Sequence, residues 1–240
     1  MTVGPDPGVL VLAARDDALV VDKPAGFLVH SSAWAGPRER TLVDLVRAAH
    51  GPGWNPVHRL DRQTSGVVVF ARGPDAARAW QAALDAPEAD KRYLALVRGQ
   101  LHDPVRVDHP LKDDAGTVRE ARSQVEPIAR RPEPWRCSLV RVRIYTGRTH
   151  QVRRHLAHLS HPVLGDASYG KGDLNRAYRS TWGLGRMGLH ARALTVTPPG
   201  DTAPQRFVAP VPPDLRAVLD ALLPDWNEAL QAAEAANATE

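Results

Sequence analysis

"VHRLDRQTSGVVVFAR", residues 57–72, decides how the chain is read. Val67 to Phe70 is a continuous apolar run, the pattern of a strand covered on both faces. Thr64-Ser65-Gly66 makes a small polar step into it, and ahead of that step Asp61 lies between Arg59 and Arg62. In extended backbone, residues two apart point the same way. Arg59 and Asp61 then project together while Leu60 turns into a core. A free aspartate has a pKa of about 3.9, and burial pushes it toward the neutral form. A guanidinium cannot lose its charge and reverses that tendency. The pattern suits a carboxylate kept anionic as a nucleophile where water is scarce. It also suits a surface ion pair, and this stretch alone leaves both open.

Working outward, residues 18–23 and 26–30 read as short strands around a Pro24-Ala25-Gly26 turn. Residues 41–50 read as a helix with Thr41 as N-cap, and 74–85 as a second with Pro74 in its first turn. Residues 91–98 and 138–145 read as strands, with a hairpin or insertion between them over 105–135. In 138–145, Val140, Val142 and Ile144 face one way and Arg141, Arg143 and Tyr145 the other, giving one dry and one basic face. Gly147 turns the chain into a helix over 149–159. Val152, Leu156 and Leu159 line its apolar side, and His150, Arg154 and His158 share the opposite one. Residues 189–197 and 205–210 close as strands, followed by a helix over 213–223. Many strands followed by few helices predict an α+β fold.

The 240 residues suit one large domain or two small ones, and 43% apolar with 24% charged residues is the balance of a soluble globular protein. No apolar run approaches the ~20 residues of a membrane span, and the N-terminus lacks a leader pattern. The expectation is a cytoplasmic protein without membrane contact. Cys137 is the single cysteine, which excludes an internal disulfide and a cysteine-based zinc site. Charge is uneven. Residues 225–240 carry four acids and no Lys or Arg, leaving 31 bases against 23 acids elsewhere. Residues 136–155 carry six arginines and no acid, the footprint of a polyanion partner or simply a solvated surface. The histidines at 150, 155, 158 and 161 fall on different sides of their helix without an HExxH pattern, so no metal is expected. Phosphate-loop, nucleophile-elbow and dinucleotide fingerprints are all missing.

Five motifs in order carry a resemblance. His58-Arg59-Leu60-Asp61-Arg62-Gln63-Thr64-Ser65-Gly66 resembles the HRLDxxTSG signature of the RluA family of pseudouridine synthases. Residues 22–30 resemble its DKPxGxxVH segment, 91–99 its KxYxAxVxG strand, 146–153 its TGRxHQxR motif and 189–191 its LHA. The resemblance spans roughly residues 9–222. It implies a mixed, mainly antiparallel sheet, bent, with flanking helices around a central RNA-binding cleft. Residues 1–224 would be the catalytic domain with no N-terminal S4 domain, and 225–240 an acidic tail that frays.

By the same resemblance, Asp61 is the nucleophile, attacking either the base or the ribose C1′. Arg148 is the arginine that pairs with it, and Tyr93 stacks on the flipped base and assists proton removal. Arg59 fills the gap left by the extruded nucleotide, and Leu189 is the apolar contact under the uracil. His58, Arg62 and His150 join the RNA-binding set, with Arg141, Arg143, Arg153 and Arg154 as phosphate contacts. The reaction is an isomerisation needing no cofactor or metal. The stretch 153–191 is closest to the subgroup acting on uridine 65 of tRNA, so RNA is the expected partner, tRNA ahead of 23S rRNA, with the protein a monomer. Two other readings remain: a catalytically silent RNA-binding relative, and a hydrolase in which Asp61 activates water.

Overall fold

A computed structural model describes residues 8–31 and 39–236. In chain order the strands are β1 (Leu10–Ala14), β2 (Ala18–Lys23), β3 (Trp54–Pro56), β4 (Ser65–Arg72), β5 (Asp90–Arg98), β6 (Val105–Asp108), β7 (Leu111–Lys112), β8 (Val118–Arg119), β9 (Arg122–Arg131), β10 (Cys137–Ile144), β11 (Leu189–Val196) and β12 (Gln205–Val208). The helices are α1 (Leu42–His50), α2 (Gly73–Asp85), α3 (Gln151–His158), α4 (Gly172–Trp182), α5 (Pro213–Leu222) and α6 (Trp226–Ala236). The class is α+β. The chain forms two compact units, one from residues up to Asp90 plus Ala191–Pro210, the other from Lys91–His190 plus Val211 onward.

In the first unit β4 pairs antiparallel with β2, from Ala18 opposite Ala71 to Lys23 opposite Gly66, and β2 pairs with β1. Every residue of β4 but Arg72 is buried, as its unbroken apolar run requires. Ala18, Val20, Val67, Val69, Trp80 of α2, Leu194 and Phe207 form one core. Gly66 has φ +118, and a Cβ there would lie 2.1 Å from the Ala191 carbonyl oxygen. Only glycine lets backbone approach that closely.

Helix α1 begins at a capping box in which Thr41 and Asp44 bond each other's backbone N–H. The strand expected over 26–30 does not form. The Leu28 and Val29 carbonyls accept instead from the Leu42 and Val43 N–H groups, so these backbone groups serve the helix start.

In the second unit β5, β10, β9 and β6 pair antiparallel in that order. Alternation along β5 and β10 makes two cores. Leu94, Leu96, Cys137 and Leu139 pack with Tyr178 of α4, Leu219 of α5 and Trp226 of α6. Ala95, Val97, Val140 and Val142 pack with Val152 and Leu156 of α3. On the face of β10 expected to be basic, Cys137, Leu139 and Arg141 are buried, while Arg143 is half-buried and Tyr145 beyond it exposed. Residues 226–236, within the run expected to fray, form α6, anchored by buried Trp226 and Leu230. Residues 237–240 of that run lie outside the described residues.

Candidate functional site

The Asp61 turn belongs to the first unit. Leu60 is buried, Arg59 exposed and Asp61 half-buried, the alternation expected of extended backbone. The Asp61 carbonyl accepts from Thr64 N–H at 3.0 Å, closing a turn just ahead of β4. Lys23, 0% exposed, holds that turn from beneath. Its Nζ donates to the carbonyls of Pro24 (2.9 Å), Arg62 (3.1 Å) and Thr64 (2.8 Å). Gly26 N–H also donates to the Arg62 carbonyl, and Arg62 Nε returns a bond to the Gly26 carbonyl. The Arg62 guanidinium meets Glu39 at 2.7 Å. His58 accepts the Val69 N–H on Nε2 at 3.1 Å, so its ring is committed to the middle of β4. Sequence reasoning gave Lys23 no role. The signal was a lysine ending a strand that opens on four apolar residues, because a buried ammonium must find acceptors.

The other residues of the expected set belong to the second unit. Tyr93, on β5 opposite Val142, is half-buried against the Val97–Val140 core. Leu189 opens β11 and lies within the same core. Arg148 is exposed, in a turn built around Gln151. The Gln151 Oε1 accepts from Thr146 Oγ1 (2.7 Å) and Arg148 N–H (3.1 Å), and its Nε2 donates to the Arg122 carbonyl and Ser123 Oγ. The Arg148 Nε donates to the Glu120 carbonyl at 2.9 Å. Gly147 is not the residue that needs special backbone: a Cβ there would meet nothing within 4 Å, and the left-handed conformation falls on His150 at φ 55.

Several expected phosphate contacts are engaged within the chain. Arg141, 7% exposed, bonds Glu126 and, through Nη1, the Ala233 carbonyl of α6. Arg153, also 7% exposed, makes a two-pronged pair with buried Asp166, at 2.7 and 2.9 Å. An arginine carries its stem and charge into a protein when a carboxylate meets its fork, and here each does. Burial alone would raise the Asp166 carboxyl, but Arg153 and the Tyr169 and Ser168 N–H groups hold it below the usual range. Arg154 Nη1 donates to the Lys112 carbonyl at 2.8 Å, and Arg143 lies over the Tyr145 ring at 4.9 Å.

The four histidines have different partners, with His109 met by both His155 and His158. His150 Nδ1 is 3.1 Å from Tyr169 Oη, His158 stacks on His109, and His161 Nδ1 donates to the Arg98 carbonyl. His155, fully buried, donates from Nε2 to the His109 carbonyl and accepts from Ser123 Oγ on Nδ1. Burial is the main cause that depresses its pKa. Cys137 is buried and its thiol pushed up to about 11, which leaves it unreactive packing. Among the described residues, no group of three or more His, Cys, Asp or Glu could hold a metal ion, and no helix is long and apolar enough to cross a membrane.

Residues 17–158 match the family model described as RNA pseudouridylate synthase. A tRNA pseudouridine synthase C from Pasteurella multocida is 39% identical over 201 residues, 75% of this chain and 82% of its own length. A ribosomal large subunit pseudouridine synthase D from Xanthomonas campestris pv. campestris is 37% identical over 240 residues, 93% of this chain and 72% of its own. Among solved structures, human RNA pseudouridylate synthase domain containing 1 superposes with a TM-score of 0.70 at 27% identity, covering 91% of this chain and 90% of that one.

Proposed function

The chain belongs to the RNA pseudouridylate synthase family, and from that premise we propose that its substrate is a tRNA, at the uridine 65 position. The enzyme is an isomerase. The C1′–N1 glycosidic bond breaks, C1′ joins C5, the C5 proton leaves and N1 gains one. The observation that carries the tRNA reading is the likeness to tRNA pseudouridine synthase C proteins, which includes a 37% identical relative from Vibrio cholerae spanning 78% of this chain. The synthase D relative, aligned over 93% of this chain, favours a second reading in which a large-subunit rRNA uridine is the target.

In this reading Asp61 is the nucleophile and Arg148 supplies the cation that keeps it ionised. Tyr93 stacks on the extruded base and helps remove its proton. Leu189 packs under the uracil, and Arg59 fills the space left in the RNA. The lysine-held turn supports the first role, since it fixes the backbone on which Asp61 is carried. Extrusion of the base costs a few kcal/mol and favours a uridine in a loop or deformable helix. Arg59, Arg62 and Arg143 are the candidates for RNA contact, in a protein acting in the cytoplasm as a monomer.

The test is tritium release from C5-labelled uridine in tRNA and 23S rRNA transcripts, with carbodiimide-dependent primer extension to locate the product. Release from tRNA at one site is expected, and Asp61→Ala should lower it by at least ~10³-fold. Release from rRNA alone moves the target to the second reading. Turnover surviving Asp61→Ala removes the mechanism.

A further inference from the structure

Residues 165–170 and the start of α3 are tied together by more bonds than chain connectivity needs. Asp166 uses both carboxylate oxygens on Arg153, and one of them also accepts from the Ser168 and Tyr169 N–H groups. Asn175 of α4 fastens the same loop, donating to the Asp166 carbonyl at 2.8 Å and accepting from Gly165 N–H at 2.9 Å. The Tyr169 ring is then held over the Arg153 guanidinium, with 5.0 Å from Cζ to centroid. Its edge meets the His150 ring at 5.8 Å and 77°, and its hydroxyl lies 3.1 Å from His150 Nδ1.

His150 is the residue on which this converges, and its backbone is unusual. It is the N-cap of α3, in the left-handed region at φ 55 and ψ 26, with no side-chain capping bond. A residue with a Cβ stays there only when its surroundings hold it. Two residues earlier is Arg148, whose backbone N–H and carbonyl are both bonded to Gln151. The turn is therefore braced at two points: the Gln151 amide inside it, and the Tyr169 ring at its C-terminal end.

We propose that Tyr169 is a positioning residue for the reaction: through His150 it holds the left-handed start of α3 and so sets the direction in which Arg148 leaves the backbone. The inference rests on the role given to Arg148 above. The device is a buried ion pair that orients an aromatic ring, whose hydroxyl then fixes a strained cap. Tyr169 touches neither the uridine nor Asp61 in this scheme. Its loss acts on turnover and not on RNA affinity.

The experiment measures kcat and KM by tritium release for the full chain, Tyr169→Phe, His150→Gly and the double variant, with urea unfolding of each. The phenylalanine keeps the ring over Arg153 and removes only the hydroxyl. Expected is a kcat roughly tenfold lower, a KM for RNA within about twofold and an unchanged urea midpoint. In the His150→Gly background, where glycine adopts the left-handed region unaided, the same change should cost nothing further. An unaltered kcat, a rise in KM alone, or an equal loss in both backgrounds overturns the proposal. Should the unmodified chain release no tritium from any RNA, the reading of the reaction falls. The His150 ring titration by NMR then decides the brace: a midpoint that moves in Tyr169→Phe keeps it, and one that does not removes it.

Discussion

The two turns that carry the candidate chemistry are held by different means. The Asp61 turn is fastened by one buried ammonium on three carbonyls, in the first unit. The turn of residues 146–151, in the second, is fastened by a neutral amide whose bonds continue through Ser123 Oγ to His155 and the His109 carbonyl. The first relies on charge-assisted bonds to acceptors that do not titrate. The second is a relay of neutral donors and acceptors that includes one titratable ring, His155, needed in its neutral form. The proposed nucleophile and the cation proposed to serve it are thus held by supports that fail under different conditions.

The comparison breaks most sharply at Lys23. Lys23→Met keeps the stem and removes a charged donor from three carbonyls, of which that of Arg62 keeps its bond from Gly26 N–H, so stability should fall by about 3–5 kcal/mol in urea unfolding. A loss below ~1 kcal/mol would show that water replaces the ammonium. Gln151→Ala should cost less, about 2 kcal/mol, because the lost amide is uncharged and the Arg122 carbonyl and Ser123 hydroxyl keep other partners in Tyr145 N–H and His155. A loss as large as that of Lys23→Met would erase the distinction between the two supports.

The smallest effect separates them by pH. The folded pKa of His155 lies below the ordinary 6.5, so below that value the unfolded chain binds more protons than the folded one. The contribution is complete above ~6.5 and is lost as pH falls through to the lower folded value. Melting followed between pH 8 and 5 should show this decline. In His155→Gln the part of the slope due to this residue disappears, while Lys23→Met leaves it in place.

The sequence showed strands best where burial is two-sided. Strand β2 matches residues 18–23, and the β4 run and the Thr41 cap lie where hydrophobic pattern and capping chemistry put them. Residues 26–30 misled because their strand-like side chains say nothing of where backbone carbonyls go. The C-terminal run misled through composition: its acids argued for solvent, while Trp226 and Leu230, four apart on one helical face, anchor it. At the site, Asp61 announced itself by its neighbours. Arg141 and Arg153 read as surface cations because their carboxylates, Glu126 and Asp166, stand 15 and 13 residues away in sequence. Lys23 and Tyr169 escaped notice for the same reason, since what gives each its place is a distant stretch of chain.

The chain leaves the first unit at Asp90, returns to it at Ala191 and departs again at Pro210. Leu194, Val196, Phe207 and Ala209 are needed to close the first core, and Leu215, Leu219, Trp226 and Leu230 to close the second. On a ribosome, then, the first half cannot finish burying its apolar side chains before Ala209 is made, nor the second before Leu230. Separating the chain after Asp90 or after His190 would yield fragments with gaps in their interiors.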